Sequence, residues 1–347
     1  MANELTTTNE QNALAQAGRA ANQAASRGVF ADYRSRKADN TLRRQSADLA
    51  LFADFLRSVG LDTGDFQNDP AAWHGVTWGL VEAFARWQLQ NGYAVASVNV
   101  RLATVKTYAR LALKAGVLSP AEFAMMTTVK GYSHKESKRI DEKREADDMT
   151  TRKGSKKAAA VSLTQEQAAL LMGQPDTPQG RRDALMLCLM FEHGLRVGEV
   201  AILAVTDFDL KAGELRFYRP KVDKSQTHKL TPRTLKAARA YIQQDAPAMG
   251  NLWRASASKK DGKAAAGTLT TQGMTERALT KRVNALGQAA GIAGLSAHDL
   301  RHYWATRAAR NGTPIDRLQD AGGWNSPAMP LRYVESAKVA NDGVKLD

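Results

Sequence analysis

The residues of this sequence best placed to do chemistry lie near its C-terminal end. They fall in Ser296-Ala-His298-Asp-Leu-Arg301-His302-Tyr-Trp-Ala-Thr306, then Gly322-Gly-Trp324-Asn-Ser-Pro327, then Leu331-Arg332-Tyr333-Val334. Ser296 with Asp299 three residues on is a capping-box pattern, which predicts a helix start at this point. Side chains three apart share a helix face. A proton-handling ring, His298, and a cation, Arg301, therefore aim at one place, beside a helix end whose N–H groups favour an anion. A phosphate suits that set.

A second cation comes from Gly194-Leu195-Arg196-Val197-Gly198-Glu199, a junction between helices from which Arg196 can project into a cleft. Glu199 follows Arg196 at the spacing of a charge-assisted bond. On a plain surface helix such a pair is worth only a few tenths of a kcal/mol, about 0.2–0.5. A polar turn, Pro220-Lys221-Val-Asp223-Lys224-Ser225, is flanked by two short strand patterns and offers two lysines. Taken singly, Tyr333 reads as a buried aromatic, His298 as a capping residue and Trp324 as a core plug.

Taken together, their order and spacing resemble the tyrosine recombinase (phage integrase) family. That family carries an Arg in a Gly-Leu-Arg-x-x-Glu setting, a Lys on a β-hairpin and a His-x-Leu-Arg-His motif. A Gly-His or Gly-Trp follows, with a tyrosine nine residues further on. Here Trp324 stands 23 residues after Arg301 and Tyr333 nine after Trp324. The resemblance covers roughly positions 40–340. It implies that Tyr333 is the nucleophile, Arg196 and Arg301 the phosphate clamps, Lys221 the general acid, His298 an acid/base partner and Trp324 a positioning group, with Glu199 in support. Lys221 is preferred over Lys224 because Arg219-Pro-Lys221-Val resembles the Arg-x-Lys-Thr of many integrases. The indole N–H donates but accepts no proton, so Trp324 is expected to act by hydrogen bonding and packing. Pro330 implies that the helix bearing Tyr333 starts there.

The chemistry makes physical sense by itself. A phenol of pKa about 10 is ionised on the order of 0.1 % of the time at neutral pH, so attack on a phosphodiester requires fixed positive charge nearby. Two arginines supply it and stabilise the pentavalent transition state. A lysine can protonate the leaving 5′-oxygen. A phosphotyrosine ester stores the broken bond, so no ATP is needed, and the sequence has no phosphate-cradling Gly-x-x-x-x-Gly-Lys-Ser/Thr loop. No cofactor and no metal are expected.

These residues need a scaffold, and the sequence predicts a mainly helical one with a small β-sheet: a helical core-binding domain followed by an α+β tyrosine-recombinase catalytic domain. Positions 1–28, rich in Ala, Asn, Gln and Thr, read as a flexible arm or frayed helix. Positions 29–129 read as a helical DNA-binding domain. One helix ends at Gly60, a second runs from Thr77 to Gly92, a third from Ser97 to Gly116, and a short fourth opens at the capping box Ser119-Pro-Ala-Glu122. Positions 130–160, basic and nearly without apolar residues, read as an interdomain linker.

The catalytic domain, 161–347, opens with Thr164/Gln167 as a capping box. A helix from Thr177-Pro178 follows, then strands at 213–218 and 227–231 and helices at 232–244 and 275–287, with a low-complexity loop at 255–267 between the last two. A further helix starts at Thr313-Pro314 and ends at Gly322-Gly323. Cys188, inside an apolar run, reads as a small buried hydrophobe. Val334 to Asp347 is too short and polar for a docking role on a neighbouring subunit to be established.

Composition points to the same partner. Net charge is +14 and the pI about 9.8, which suits a polyanion, and cations scattered through helical patterns favour nucleic acid over a membrane surface. The candidates for backbone contacts are Arg43, Arg44, Arg101, Lys106 and Lys224. Arg101 and Lys106 share a helix with Arg110 and Lys114, which serves equally as a solvated face. No apolar run of about 18 residues and no signal-peptide pattern occurs, so a cytoplasmic, nucleoid-associated protein is expected. The resemblance implies double-stranded DNA held between the two domains and a homo-oligomer, a tetramer on two DNA sites, monomeric or dimeric when free. The alternatives are a type IB topoisomerase-like relaxing enzyme, or a DNA-binding architectural protein with a decayed site.

Overall fold

Hydroxyl side chains start many of the helices. In the computed structural model, which describes residues 2–154, 159–257 and 267–337, Thr77, Ser119, Thr164, Thr177, Thr231 and Thr275 each accept the backbone N–H three residues on. Each satisfies a donor that the first turn leaves without an intrahelical partner. The chain divides into two units, Met1–Lys156 and Lys157–Asp347.

The first unit holds α1 (Ala2–Ser35), α2 (Asp39–Ser58), α3 (Trp78–Gln90), α4 (Val95–Lys114), α5 (Pro120–Thr128) and α6 (His134–Ala146). Its core is aromatic: Phe52 packs against Phe66, Trp73 and Phe84 at centroid distances of 5.1, 6.2 and 5.1 Å. Phe30 and Tyr33 meet Tyr108 of α4 edge-on at 5.8 and 5.6 Å. This docks the end of α1, the helix that also runs through positions 2–28 of the expected arm. The α5 capping box is only half made, because Glu122 accepts from the backbone N–H of Trp78 and so caps α3.

The expected linker 130–160 is largely part of this unit. Ser133 and Glu136 form a capping box, Arg144 is buried and bonded to Asp141 and the Thr150 carbonyl, and the Lys153 amide reaches the Gly92 carbonyl at 2.7 Å. A helix this polar is held by its cap and its buried arginine, which is why an apolar-stripe reading passes over it.

The second unit holds α7 (Gln165–Met172), α8 (Pro178–Glu192), α9 (Val197–Ala201), β1 (Phe208–Asp209), β2 (Glu214–Arg219), β3 (Lys224–Lys229), α10 (Pro232–Gln244), β4 (Arg254–Ser256), β5 (Leu269–Gly273), α11 (Glu276–Ala289), α12 (Ala297–Arg310), α13 (Ile315–Gly322) and α14 (Ala328–Ala337). From Leu185 to Phe191 every residue of α8 is buried, Cys188 included, and burial pushes that thiol up to about 12. Strands β1, β2 and β3 form one antiparallel sheet. The pairing of Arg219 with Lys224 leaves Pro220 to Asp223 as the turn. The single expected sheet is joined by a second, β4 with β5, which flanks the low-complexity loop. Positions 258–266 of that loop, 155–158 of the expected linker and 338–347 of the tail lie outside the described residues. Helix α14 begins at Ala328 rather than Pro330, because a proline in the first turn removes no intrahelical bond. Among the described residues no helix is long and apolar enough to cross a membrane.

Candidate active site

Helix α12 starts as its capping box predicts: the buried Asp299 carboxylate accepts from both the amide and the hydroxyl of Ser296, each at 2.7 Å. Its other oxygen accepts the Val161 amide at 3.0 Å. The helix thereby fixes Arg301 inside the unit, 3 % exposed. The Arg301 guanidinium donates to the carbonyls of Gly194 and Gly322, the latter at 2.6 Å. One side chain thus ties the end of α8 to the end of α13.

Arg196 stands where the chain turns from α8 into α9. Its Nη1 donates to Glu199 Oε1 at 2.6 Å, its amide to Glu199 Oε2 at 2.8 Å, and its Nη2 to the Gly323 carbonyl at 3.3 Å. The pair is no exposed surface bridge, since Glu199 is 2 % exposed. Trp324 carries the site further. The Arg301 guanidinium carbon lies 4.5 Å from the centre of its ring, a cation–π contact. The far neighbours of the indole are Trp304, stacked at 6.0 Å, and Tyr333, at 5.8 Å.

Tyr333 is 5 % exposed, and His302 packs edge-on against it at 5.1 Å. Burial holds its phenol above the ordinary tyrosine value, while Arg301, Arg196 and Arg332 pull in the opposite direction. Arg301 itself is pushed down to about 9, first by burial and then by Arg196, and so stays charged at neutral pH. The tyrosine is therefore protonated at rest beside fixed cations that favour its ionised form.

Close approach of these groups depends on glycine. Gly194 has φ +61°, and a Cβ there would stand 2.2 Å from the Trp304 ring. Gly323, at φ +59°, passes so close to Arg219 that a Cβ would lie 2.5 Å from its Cδ. The two predicted lysines sit differently. Lys224 is paired with Asp320 at 2.7 Å, whereas Lys221 is exposed on the turn. A cavity of about 280 Å³ separates Val222 and Lys224 on the hairpin side from Trp324 and Asn325. His298 is exposed on the first turn of α12.

Of the site residues read from the sequence, Glu199 holds Arg196, whose guanidinium reaches the Gly323 carbonyl; Arg301, Trp324 and Tyr333 follow one another in ring contact; and Lys224 lies across the cavity, while Lys221 and His298 are exposed. Three contributors escaped that reading. Trp304 and His302 lie within the quoted motif but carry no expected role. Arg219 is the third; its signal is an arginine in register with Leu215 and Phe217 on the buried face of β2.

Residues 162–339, just over half of the chain, match the model of the phage integrase family. The chain belongs to the phage integrase family. It is a tyrosine-type site-specific recombinase. Among similar proteins, the tyrosine recombinase XerC of Roseiflexus castenholzii is 26 % identical over 309 residues, 88 % of this chain and 85 % of that one. The tyrosine recombinase XerD of Lacticaseibacillus casei is 26 % identical over 246 residues, 70 % and 73 % of the two chains. Two solved integrases share the fold. The Tn1549 transposon integrase in complex with transposon right end DNA gives a TM-score of 0.58 at 14 % identity, over 92 % of this chain and 96 % of that one. A lambda integrase dimer bound to a COC′ core site gives 0.58 at 14 %, over 93 % and 78 %.

The residues expected to contact DNA from the helical unit fall into two groups in this recombinase. Arg43 is exposed and, among the described residues, bonded to Asn40. Arg44 and Arg101 instead converge on the buried Asp48, and Arg101 lies over the Tyr93 ring at 4.3 Å. Lys106 donates to the carbonyls of Thr127 and Val129 at the end of α5, and burial lowers its pKa. In the unbound chain, Arg101 and Lys106 of α4 are thus engaged within the helical unit.

Proposed function

We propose that this recombinase cuts and rejoins double-stranded DNA through a 3′-phosphotyrosyl bond on Tyr333. The burial of Tyr333 against Trp324, which itself lies on Arg301, is the observation that carries this reading. The phenolic oxygen attacks the phosphorus as its proton passes to His298, and the P–O5′ bond breaks. Lys221 gives a proton to the departing 5′-oxygen, and reversal of the same steps by another strand's 5′-hydroxyl restores the backbone. Arg196 and Arg301 hold the phosphate oxygens and offset the charge that builds in the pentavalent state. Losing one such donor costs about 10²–10³ in rate. Lys221 is favoured as the acid because, among the described residues, it has no ionic partner, whereas Lys224 is engaged by Asp320.

The reading includes a tetramer that exchanges strands between two DNA sites, with the helical unit adding phosphate contacts. With about 6–10 such contacts, affinity falls roughly 10³–10⁵-fold between about 50 and 200 mM salt. A nicked suicide substrate that traps the cleaved strand tests the chemistry. A covalent adduct with the native protein and none with Tyr333→Phe supports it. An adduct that survives Tyr333→Phe moves the nucleophile elsewhere, and relaxation of plasmid lacking any special site indicates the topoisomerase-like alternative.

A further inference from the structure

Strand β2 alternates strictly, with Leu215, Phe217 and Arg219 inward. At the third inward position, where hydrocarbon would pack at least cost, the chain places an arginine with no exposed surface. Burying a guanidinium in this way is expensive unless each of its directions is met. Each is: Nε donates to Gln226 Oε1, Nη1 to Glu199 Oε2 at 2.7 Å, and Nη2 to the Ala321 carbonyl at 2.7 Å. The three partners belong to β3, α9 and the end of α13. The first leads back to the Lys221 turn, the second holds Arg196, and the third precedes the Gly322–Trp324 turn.

The division of Glu199 matters most. One of its oxygens serves the Arg196 guanidinium and the other serves Arg219. Arg196 and Arg219 therefore share one carboxylate, and with Arg301 within its electrostatic reach the cluster has a formal charge of +2. Without Arg219 the same carboxylate would answer Arg196 alone, and the charge facing a bound phosphate would fall to +1.

We propose that Arg219 is a positioning residue of the strand-cleavage site: by drawing one oxygen of Glu199 it keeps Arg196 cationic toward the phosphate, and by holding Gln226 and Ala321 it fixes the hairpin and the Trp324 turn around it. The inference rests on the reading of Tyr333 as nucleophile, which the native protein and Tyr333→Phe test separately.

Single-turnover cleavage of the suicide substrate, affinity for the same DNA and thermal stability are measured for Arg219→Met, Arg219→Lys and the double variant Arg219→Met/Glu199→Gln. Arg219→Met should cleave about 10²-fold more slowly, in line with loss of one electrostatic donor, with affinity unchanged. Arg219→Lys keeps the charge and should remain within about tenfold of native. The double variant returns the formal charge to +2 and should regain about tenfold or more over Arg219→Met, a rescue that loss of packing alone does not produce. Native-like cleavage by Arg219→Met overturns the proposal, and so does a folded double variant no faster than the single one. Should Arg219→Met fail to fold, Arg219→Lys decides: a folded lysine variant slowed by about 10² or more overturns the proposal. An adduct with native protein that Tyr333→Phe abolishes, beside a failed Arg219 series, removes this inference and leaves the proposed chemistry standing.

Discussion

Apart from the buried Arg144 of the helical unit, the two units differ in how they use arginine. In the helical unit, Arg36, Arg57 and Arg86 sit exposed in pairs with an acid three or four residues away, contacts of the kind worth about 0.2–1 kcal/mol. In the catalytic unit Arg182, Arg219 and Arg301 are buried. Arg182 is fully answered by Asp183 and by the Arg254 carbonyl, as structural economy requires. Around Arg301 three arginines, Arg196, Arg219 and Arg301, stand near one carboxylate, Glu199, a surplus that the phosphate of the proposed reaction would offset. Burial of charge does not by itself mark a site.

The largest effect should come from removing that surplus. Arg301→Ala is expected to slow cleavage about 10²–10³-fold in the suicide-substrate assay, whereas Arg57→Ala should leave the rate unchanged. A comparable loss from Arg57→Ala would break the contrast between the units.

Glycine sharpens it next. Gly194 and Gly116 both have positive φ, but a Cβ at Gly116 meets nothing within 4 Å, while one at Gly194 strikes the Trp304 ring. Gly116→Ala carries only the left-handed penalty of about 1–2 kcal/mol. Gly194→Ala adds the overpacking of about 1–3 kcal/mol and displaces the stack beneath Trp324. Denaturant titration should rank them in that order, and cleavage should fall only for Gly194→Ala.

Such contrasts explain what the sequence could disclose. The candidate site was legible because Gly194-Leu-Arg196-x-x-Glu199, His298-x-Leu-Arg301-His302 and the Trp324–Tyr333 spacing carry a family resemblance, and helix starts were legible because Thr77, Thr164 and Ser296 cap through bonds three residues long. The β4–β5 hairpin was not, since Arg254–Ser256 and Leu269–Gly273 lack alternation and are held by Arg254 bonds to the Thr270 and Asp245 carbonyls. Arg219 was missed for a related reason. Its role depends on what folds against β2 and not on its neighbours in sequence.

Acid should separate the units again. His193 and His228 lie 5.8 Å apart in the catalytic unit, and among the described residues their buried Nε2 atoms have no hydrogen-bond partner. Burial, opposed by Glu192, pushes His193 down to about 4. Burial, His193, Arg219 and Arg301, opposed by Asp320, push His228 down to about 3. Both rings are neutral when folded and take up protons more readily when unfolded, so nothing is lost above about pH 6.5 and stability declines as pH falls below it, by about 1 kcal/mol per pH unit for each histidine. Hydrogen exchange at pH 5 should show the catalytic unit loosened ahead of the helical one, and His228→Phe should flatten the dependence. Equal loosening of both units would remove the histidines as the cause.

The smallest effect tests the helical unit from within. Lys106→Met keeps the hydrocarbon stem of the lysine but removes the donor that satisfies the carbonyls ending α5. It should cost about 1–2 kcal/mol of stability and leave the salt dependence of DNA binding unaltered. Arg43, exposed on α2, is the opposite case: Arg43→Ala should leave stability nearly unchanged and, if this side chain meets a phosphate, lower the salt slope by about 1. The two variants exchange their roles if the intramolecular bonds of Lys106 give way on DNA. A fall in salt slope for Lys106→Met without loss of stability would therefore show that a cation engaged with carbonyls in the free protein is released to the duplex, and the division between structural and binding cations would then hold only for the unbound state.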